Sequence, residues 1–136
     1  MDTDVVVAAM RSPSGASAEL LRRIDRGDCQ LLLSVPMLFE YEEVCHRAVH
    51  KTAAGLSSGE VSVFLDGLVD MAEPVEAHLT WRPQLRDPDD EMVLEVAVNG
   101  QADMIVTFNT KDFGSAPERF GIVALLPRDA LKRISA

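Results

Sequence analysis

The sequence predicts an α/β protein with a central parallel sheet and helices on both of its faces. Short apolar runs alternate along the chain with longer segments whose apolar residues recur at helical spacing. The runs at 29–35, 103–108 and 121–126 carry few charges, as strands of a parallel sheet do when both faces are buried. This alternation is typical of a three-layer α/β/α architecture.

Length and composition agree with one globular domain that spans residues 1–136. Apolar residues make up 47% of the chain, which is enough to build a buried core. No apolar run approaches the ~20 residues that cross a membrane, and the first residues do not resemble a secretion signal. Cys29 and Cys45 lie in apolar surroundings without a CxxC spacing. We therefore expect a cytoplasmic protein with two free thiols.

The net charge of −9 restricts the classes of function. A protein that only binds nucleic acid normally presents a basic face, and this balance argues against that class. A nuclease whose acidic cluster is offset by a divalent metal ion stays possible. The charge also suits a protein that meets a basic partner.

Amphipathic patterns predict three helices in the first half of the chain. A helix at 17–28 ends near Gly27, a helix at 36–53 begins with Pro36 at a favourable first position, and a helix at 57–72 follows. The residues expected to face the core are Ala18, Leu21 and Ile24 in the first, Leu38, Tyr41, Cys45 and Ala48 in the second, and Val61, Phe64, Leu65, Leu68 and Ala72 in the third. Later, we expect a strand at 78–83, a helix at 88–99 and a closing helix from Pro127.

Acidic residues crowd the segment at 86–113, and their positions have two interpretations. Asp87 before Pro88 suits a helix N-cap, and Asp89 and Asp90 suit the first turn, where the helix dipole favours negative charge. Capping alone would explain these three acids without any function. Alternatively, the crowding belongs to a site that holds a cation, because carboxylates repel one another unless a positive charge lies between them.

Acids elsewhere in the chain favour the cation site. Asp2 stands near the start, Glu40 follows the run at 29–35, and Asp112 follows the run at 103–108. In a doubly wound sheet, functional groups gather outside the carboxyl ends of the strands, so these acids and Asp90 could meet in one crevice. Carboxylate oxygens suit Mg²⁺ or Mn²⁺. Lys111 beside Asp112 is then a candidate contact for a phosphate.

Four segments together resemble the PIN domain, a metal-dependent ribonuclease fold, and most of all the toxins of type II toxin–antitoxin modules. They are "DTDVVVAAM", "SVPMLFEYEEV", "RDPDDEMVLEVAVNGQADMIVTFNTKDF" and "LLPRDAL", in family order over nearly the whole chain. The resemblance implies RNA as substrate, Mg²⁺ or Mn²⁺ as cofactor, an antitoxin protein as partner and a homodimer. It assigns the catalytic and metal-ligand positions to Asp2, Glu40, Asp90 and Asp112, and supporting positions to Thr3, Thr107 and Asn109.

This chain departs from the family pattern at three places. Asp4 stands where the family usually has Asn, which adds a carboxylate or a helix N-cap. Asn109 stands where many members have Asp. Only Met1 precedes the first acid, so that the first strand of the family fold is short or missing here.

Three other functions are weaker alternatives. A PIN-like module that binds a protein without cutting RNA would tolerate Asn109 and the missing strand. A zinc site at His46 and His50 lacks the acid that belongs directly after the first histidine, where Arg47 stands. The "DTD" of residues 2–4 resembles the motif of aspartate-nucleophile phosphatases, but the strand that should precede it is missing.

Overall fold

A computed structural model describes residues 1–76, 85 and 87–135, and its strands form two parallel pairs. Strand β1 (Leu31–Leu33) pairs with β2 (Ala72–Pro74), with Leu31 opposite Ala72. Strand β3 (Met104–Val106) pairs with β4 (Val123–Leu125), with Met104 opposite Val123. The predicted α/β class is confirmed, but in the described residues the sheet is divided into two halves. The strand expected at 78–83 lies outside the described residues.

Seven α-helices and two short 3-10 helices surround these strands in the described part of the chain. The α-helices are α1 (Thr3–Arg11), α2 (Ala16–Asp25), α3 (Val35–Cys45), α4 (Ala48–Ala54), α5 (Ser58–Met71), α6 (Pro88–Asn99) and α7 (Pro127–Ser135). The 3-10 helices are Thr110–Phe113 and Pro117–Phe120. None of the helices in this part of the chain has both the length and the apolar character needed to span a bilayer.

Local signals explain where the helices near the acids begin. Asp87 caps α6 by accepting a hydrogen bond from the backbone N–H of Asp89, and Pro88 takes the first helical position. The predicted bounds of this helix are confirmed. Ser34 caps α3 by accepting from the N–H of Met37, so that helix begins at Val35, one residue before its predicted start.

The prediction of a single helix at 36–53 was wrong, because the chain breaks between α3 and α4. His46 ends α3, and Arg47 takes an extended conformation (φ −63°, ψ 138°) that caps α4. The break changes the phase of the helical pattern, and Ala48, expected in the core, is exposed. Leu38 is only partly buried, and the core face of α3 consists of Met37, Tyr41, Val44 and Cys45.

The apolar residues after Asp2 form helix α1, which begins at the carboxyl end of β3. Asp2 is the N-cap of this helix, and Asp4, a possible cap by sequence, lies in its first turn instead. Val5 and Val6 are fully buried. The backbone N–H of Asp2 donates to the carbonyl of Val106 over 2.8 Å. This hydrogen bond joins the first residues of the chain to the end of β3. Both cysteines are free thiols, as expected.

Candidate active site

Asp2 is held from two sides at the carboxyl end of β3. Its Oδ1 accepts the N–H of Thr3 over 2.8 Å, which is the capping bond of α1. Its Oδ2 accepts the hydroxyl of Thr107 over 2.7 Å. Tyr41 adds a third anchor, because its hydroxyl donates to the backbone carbonyl of Met1. Thr107 thus contacts Asp2 through its side chain, whereas Thr3 contributes its backbone N–H.

Asp4 and Asn109 form a second pair beside Asp2. Oδ2 of Asp4 accepts from Nδ2 of Asn109 over 3.0 Å and from the N–H of Phe108 over 3.3 Å. Asn109 is tied to the first pair as well, since its N–H donates to the hydroxyl of Thr107 over 3.0 Å. Asp2, Asp4, Thr107 and Asn109 thus belong to one hydrogen-bond network. The interaction with Asp4 gives Asn109 a positioning role in this network.

One oxygen of Asp4 has no partner inside the described structure. Its Oδ1 is buried and makes no hydrogen bond. Burial, and after it the neighbouring charge of Asp2, raise the pKa of this carboxyl to about 6. A buried acceptor without a donor is costly unless a proton or a cation satisfies it. Sequence reasoning singled out Asp4 as a departure from the family and as part of the "DTD" of residues 2–4, but not for its burial.

Asp90 lies in the first turn of α6 and is electrostatically coupled to the other acids. Burial, and after it the charges of Asp2, Asp87 and Asp112, raise its pKa to about 6. A residue that served only the helix dipole would gain from ionisation at this position. The opposite shift indicates that burial, together with the neighbouring acids, outweighs the stabilisation that the dipole provides.

Glu40 approaches the same group from α3. It lies in the second turn of that helix. Burial raises its pKa, and Asp89, Glu43 and Asp2 contribute repulsion. Glu40 and Asp90 are therefore both within the electrostatic reach of Asp2, although they come from different helices.

Asp112 completes the set in a crevice next to α6. A cavity of about 490 Å³ is lined by Asp87, Asp90 and Asp112 together with Lys111 and Arg119. Lys111 and Asp112 are exposed in the 3-10 helix after β3. Two cationic side chains and three carboxylates thus line one opening. Arg119 was not found by sequence reasoning, because it follows the acidic segment without any motif.

The described acids are coupled without forming a closed coordination sphere. Among residues 1–76, 85 and 87–135, no three His, Cys, Asp or Glu side chains are close enough together to hold a metal ion. His46 contacts the carbonyl of Glu42 and the hydroxyl of Ser62, whereas His50 contacts Arg11. The two histidines thus have separate partners, which gives no support to a zinc site.

The comparison with protein families agrees with this arrangement of acids. A family model described as the PIN domain matches residues 1–111. The chain belongs to the PIN-domain family. Neither a curated protein nor a solved structure matches the chain.

PIN membership gives the acid crevice a chemical context. The match includes Asp2, Glu40 and Asp90 and ends one residue before Asp112. PIN domains have a nuclease-type fold, are generally hydrolases and typically use divalent metal ions. The donors present here are all carboxylate oxygens, and they suit a hard divalent cation in type.

Proposed function

We propose that this PIN-domain protein is a metal-dependent endoribonuclease and the toxin of a toxin–antitoxin module. The observation that carries the proposal is the coupling of Asp2, Glu40, Asp90 and Asp112. Two of these carboxyls have pKa values raised by burial and by their acidic neighbours. Carboxylates that have no function on a protein surface move apart from one another in water. A group that stays together against its own repulsion is typical of a site that binds a cation.

Asp2, Glu40, Asp90 and Asp112 would hold Mg²⁺ or Mn²⁺. A bound metal ion lowers the pKa of a coordinated water and neutralises charge that develops on a phosphate. Thr107 fixes the carboxylate of Asp2 through the 2.7 Å hydrogen bond, which removes one degree of freedom before metal binds. The partnerless Oδ1 of Asp4 is a further oxygen available near that carboxylate.

Lys111 and Arg119 would position the RNA backbone. Both line the crevice that also holds Asp90 and Asp112, so a phosphate there would meet positive side chains next to the acids. With a net charge of −9, the chain repels RNA at long range. Local cations and bound metal are therefore needed to bring a phosphodiester to the carboxylates.

Exposed apolar side chains support the proposal that this chain binds other proteins. Val35 and Phe39 lie one helical turn apart on α3, and each is 63% exposed. Val63 on the neighbouring α5 is 71% exposed. The pair on α3 lies together on one surface, and exposed apolar side chains of this size are typical of interfaces. We propose that an antitoxin or a second copy of this chain covers them, in the cytoplasm.

Cleavage of single-stranded RNA by the purified protein tests the proposal. We expect cleavage with Mn²⁺ or Mg²⁺ that stops with EDTA. Asp90→Asn should lower the rate at least a hundredfold, whereas the matched control Asp66→Asn, on the exposed side of α5, should cleave like the parent. Induced expression should arrest bacterial growth, and Asp90→Asn should relieve the arrest.

A PIN-like module that binds a protein without cutting RNA is the second candidate. The lack of a closed coordination sphere among the described residues favours it. Equal background cleavage by the parent and by Asp90→Asn, with no effect of Mn²⁺ on thermal melting, would establish this alternative.

A further inference from the structure

A large aromatic side chain is exposed in the loop after β3, beside the acids. Phe108 directly follows the fully buried Thr107 and is 47% exposed. Single exposed apolar residues are common on protein surfaces, so exposure alone does not indicate a function. The position of Phe108 is different, because both of its neighbours in the chain belong to the hydrogen-bond network that holds Asp2. The exposed ring therefore belongs to the rim of the candidate active site.

Hydrogen bonds hold the backbone on which this ring is mounted. The N–H of Thr107 donates to the carbonyl of Leu125 over 2.9 Å, and the N–H of Phe108 donates to Oδ2 of Asp4 over 3.3 Å. The N–H of Asn109 donates to the hydroxyl of Thr107 over 3.0 Å. Three consecutive N–H groups are thus bound, which fixes the backbone of Phe108 relative to the carboxylates. A side chain on a fixed backbone loses less entropy when a ligand binds.

A second phenylalanine anchors the same loop to the core. Phe113, at the end of the 3-10 helix Thr110–Phe113, is fully buried. The two phenylalanines thus stand five positions apart with opposite environments. The exposed part of the Phe108 ring contributes favourable burial only when something covers it. Loops that a rigid scaffold positions are also where binding residues concentrate. These properties suit Phe108 to a contact with a ligand of the site.

The loop carries a cation close to this ring. Lys111 lies three positions after Phe108 and lines the crevice together with Asp90 and Asp112. Three residues of chain span at most about 10 Å, so the cation and the ring are within reach of the same short stretch of nucleic acid. A nucleotide offers a negative phosphate and the flat face of its base. Lys111 suits the phosphate, and Phe108 suits the base.

We propose that Phe108 is a specificity-determining residue, whose ring stacks on an unpaired base next to the phosphate that Lys111 contacts. This inference rests on the proposed function of the acids as a ribonuclease site. Aromatic side chains stack on the bases of single-stranded RNA, and every base has a face that permits it. In a double helix the bases are paired and stacked on one another, so a side chain does not reach their faces. Phe108 therefore selects single-stranded RNA without selecting a sequence.

Substitutions at Phe108 separate stacking from simple apolar contact. Phe108→Trp keeps an aromatic face, Phe108→Leu keeps apolar bulk without one, and Phe108→Ala removes both. Each variant keeps the N–H that donates to Asp4. With a fluorescein-labelled single-stranded RNA and Mn²⁺, kcat/KM should fall about tenfold in Phe108→Ala and Phe108→Leu, the effect of losing one base stack, and stay near the parent value in Phe108→Trp. The control Val49→Ala, whose side chain is 64% exposed on α4, should cleave like the parent.

The same RNA annealed to its complement tests the selection of single strands. A duplex offers no unpaired base to the ring, so the parent should cleave it more slowly. Phe108→Ala should not slow the remaining cleavage of the duplex any further. The ratio of kcat/KM for the single strand to that for the duplex should therefore fall about tenfold in this variant.

A set of RNAs, each lacking the base at one nucleotide, tests the contact on the parent chain. Loss of the stacked base should lower kcat/KM of the parent about tenfold at one position near the cut. The same missing base should not lower kcat/KM of Phe108→Ala further, because that variant has already lost the contact. A purely structural role of Phe108 would instead make the two effects add.

Three results would overturn the proposal while the protein still cleaves RNA. They are equal kcat/KM of Phe108→Ala and the parent, full activity of Phe108→Leu, and additive effects of Phe108→Ala and the missing base. The first is the result expected if the ring contacts a protein rather than RNA. No metal-dependent cleavage of any of these RNAs by the parent would contradict the proposed function itself, and with it the role of Phe108.

Discussion

The hydroxyl of Thr107 donates a 2.7 Å hydrogen bond to Oδ2 of Asp2, across 105 positions of sequence. Thr107 is fully buried, and its oxygen also accepts the N–H of Asn109. One side chain thus ties the start of the chain to the loop after β3. The position of Asp2 relative to that loop depends on this hydrogen bond.

Thr107→Val should destabilise the protein and weaken metal binding. Valine keeps the shape but leaves the carboxylate of Asp2 and the N–H of Asn109 without their partner, at a cost of ~1–3 kcal/mol. Urea unfolding in EDTA measures the loss of stability, and Thr107→Ser, which keeps the hydroxyl, is the matched control. A valine variant as stable as the serine variant would show that the hydrogen bond is not needed.

In EDTA, the stability should fall as the pH rises from about 4 to about 6. Asp4 and Asp90 have folded pKa values raised to about 6, above the ordinary value of 3.8. Between these values the folded state binds more protons than the unfolded state, so a rise in pH favours unfolding. Melting temperatures across this range should decline in the parent and decline less in the Asp4→Asn, Asp90→Asn double variant. Parallel pH profiles would contradict the assignment to these two carboxyls.

Divalent metal should reverse that pH dependence. Mn²⁺ binds the ionised carboxylates, so its stabilising effect should grow as the pH rises from 5 to 7 and Asp90 loses its proton. A hundredfold excess over Kd contributes ~2.7 kcal/mol to the free energy of unfolding. Melts with Mn²⁺ and with EDTA measure the effect, and Asp112→Asn should reduce it. Superimposable melts at pH 7 would mean that the acids bind no metal.

Ser57→Ala should lower the stability of the protein without changing the acidic residues of the crevice. Ser57 and Glu60 form a reciprocal capping box at the start of α5, with hydrogen bonds of 3.0 and 3.1 Å. Loss of such a cap costs ~0.5–2 kcal/mol. We expect a lower melting temperature with an unchanged shift on addition of Mn²⁺. A smaller shift in this variant would indicate that metal stabilises the fold through regions other than the acid crevice.

Local signals explain why some elements could be predicted from the sequence. Asp87 and Pro88 specify the start of α6 without help from the rest of the chain, and the bounds 88–99 are confirmed. The break between α3 and α4 had no such signal, since the apolar pattern continues through His46 and Arg47. No element was predicted for the run after Asp2, which forms a helix capped by Asp2.

The candidate site, like the fold, could be predicted only in part. Residue type and strand order were enough to select Asp2 and Asp90, whose charges interact in the structure. The burial of Asp4 could not be predicted, because it depends on Phe108 and Asn109, more than a hundred positions away. Asn109 was assigned a supporting role, and the network shows its partner to be Asp4.

The two halves of the sheet also determine how the molecule opens. The ladder of β1 and β2 closes the segment from Leu31 to Pro74, and the ladder of β3 and β4 closes the segment from Met104 to Leu125. No ladder in the described residues joins one half to the other. Cooperative unfolding units coincide with such locally closed motifs. Native-state hydrogen exchange should therefore resolve two separate sub-global openings, and the amides of β1 and β3 should exchange with different free energies.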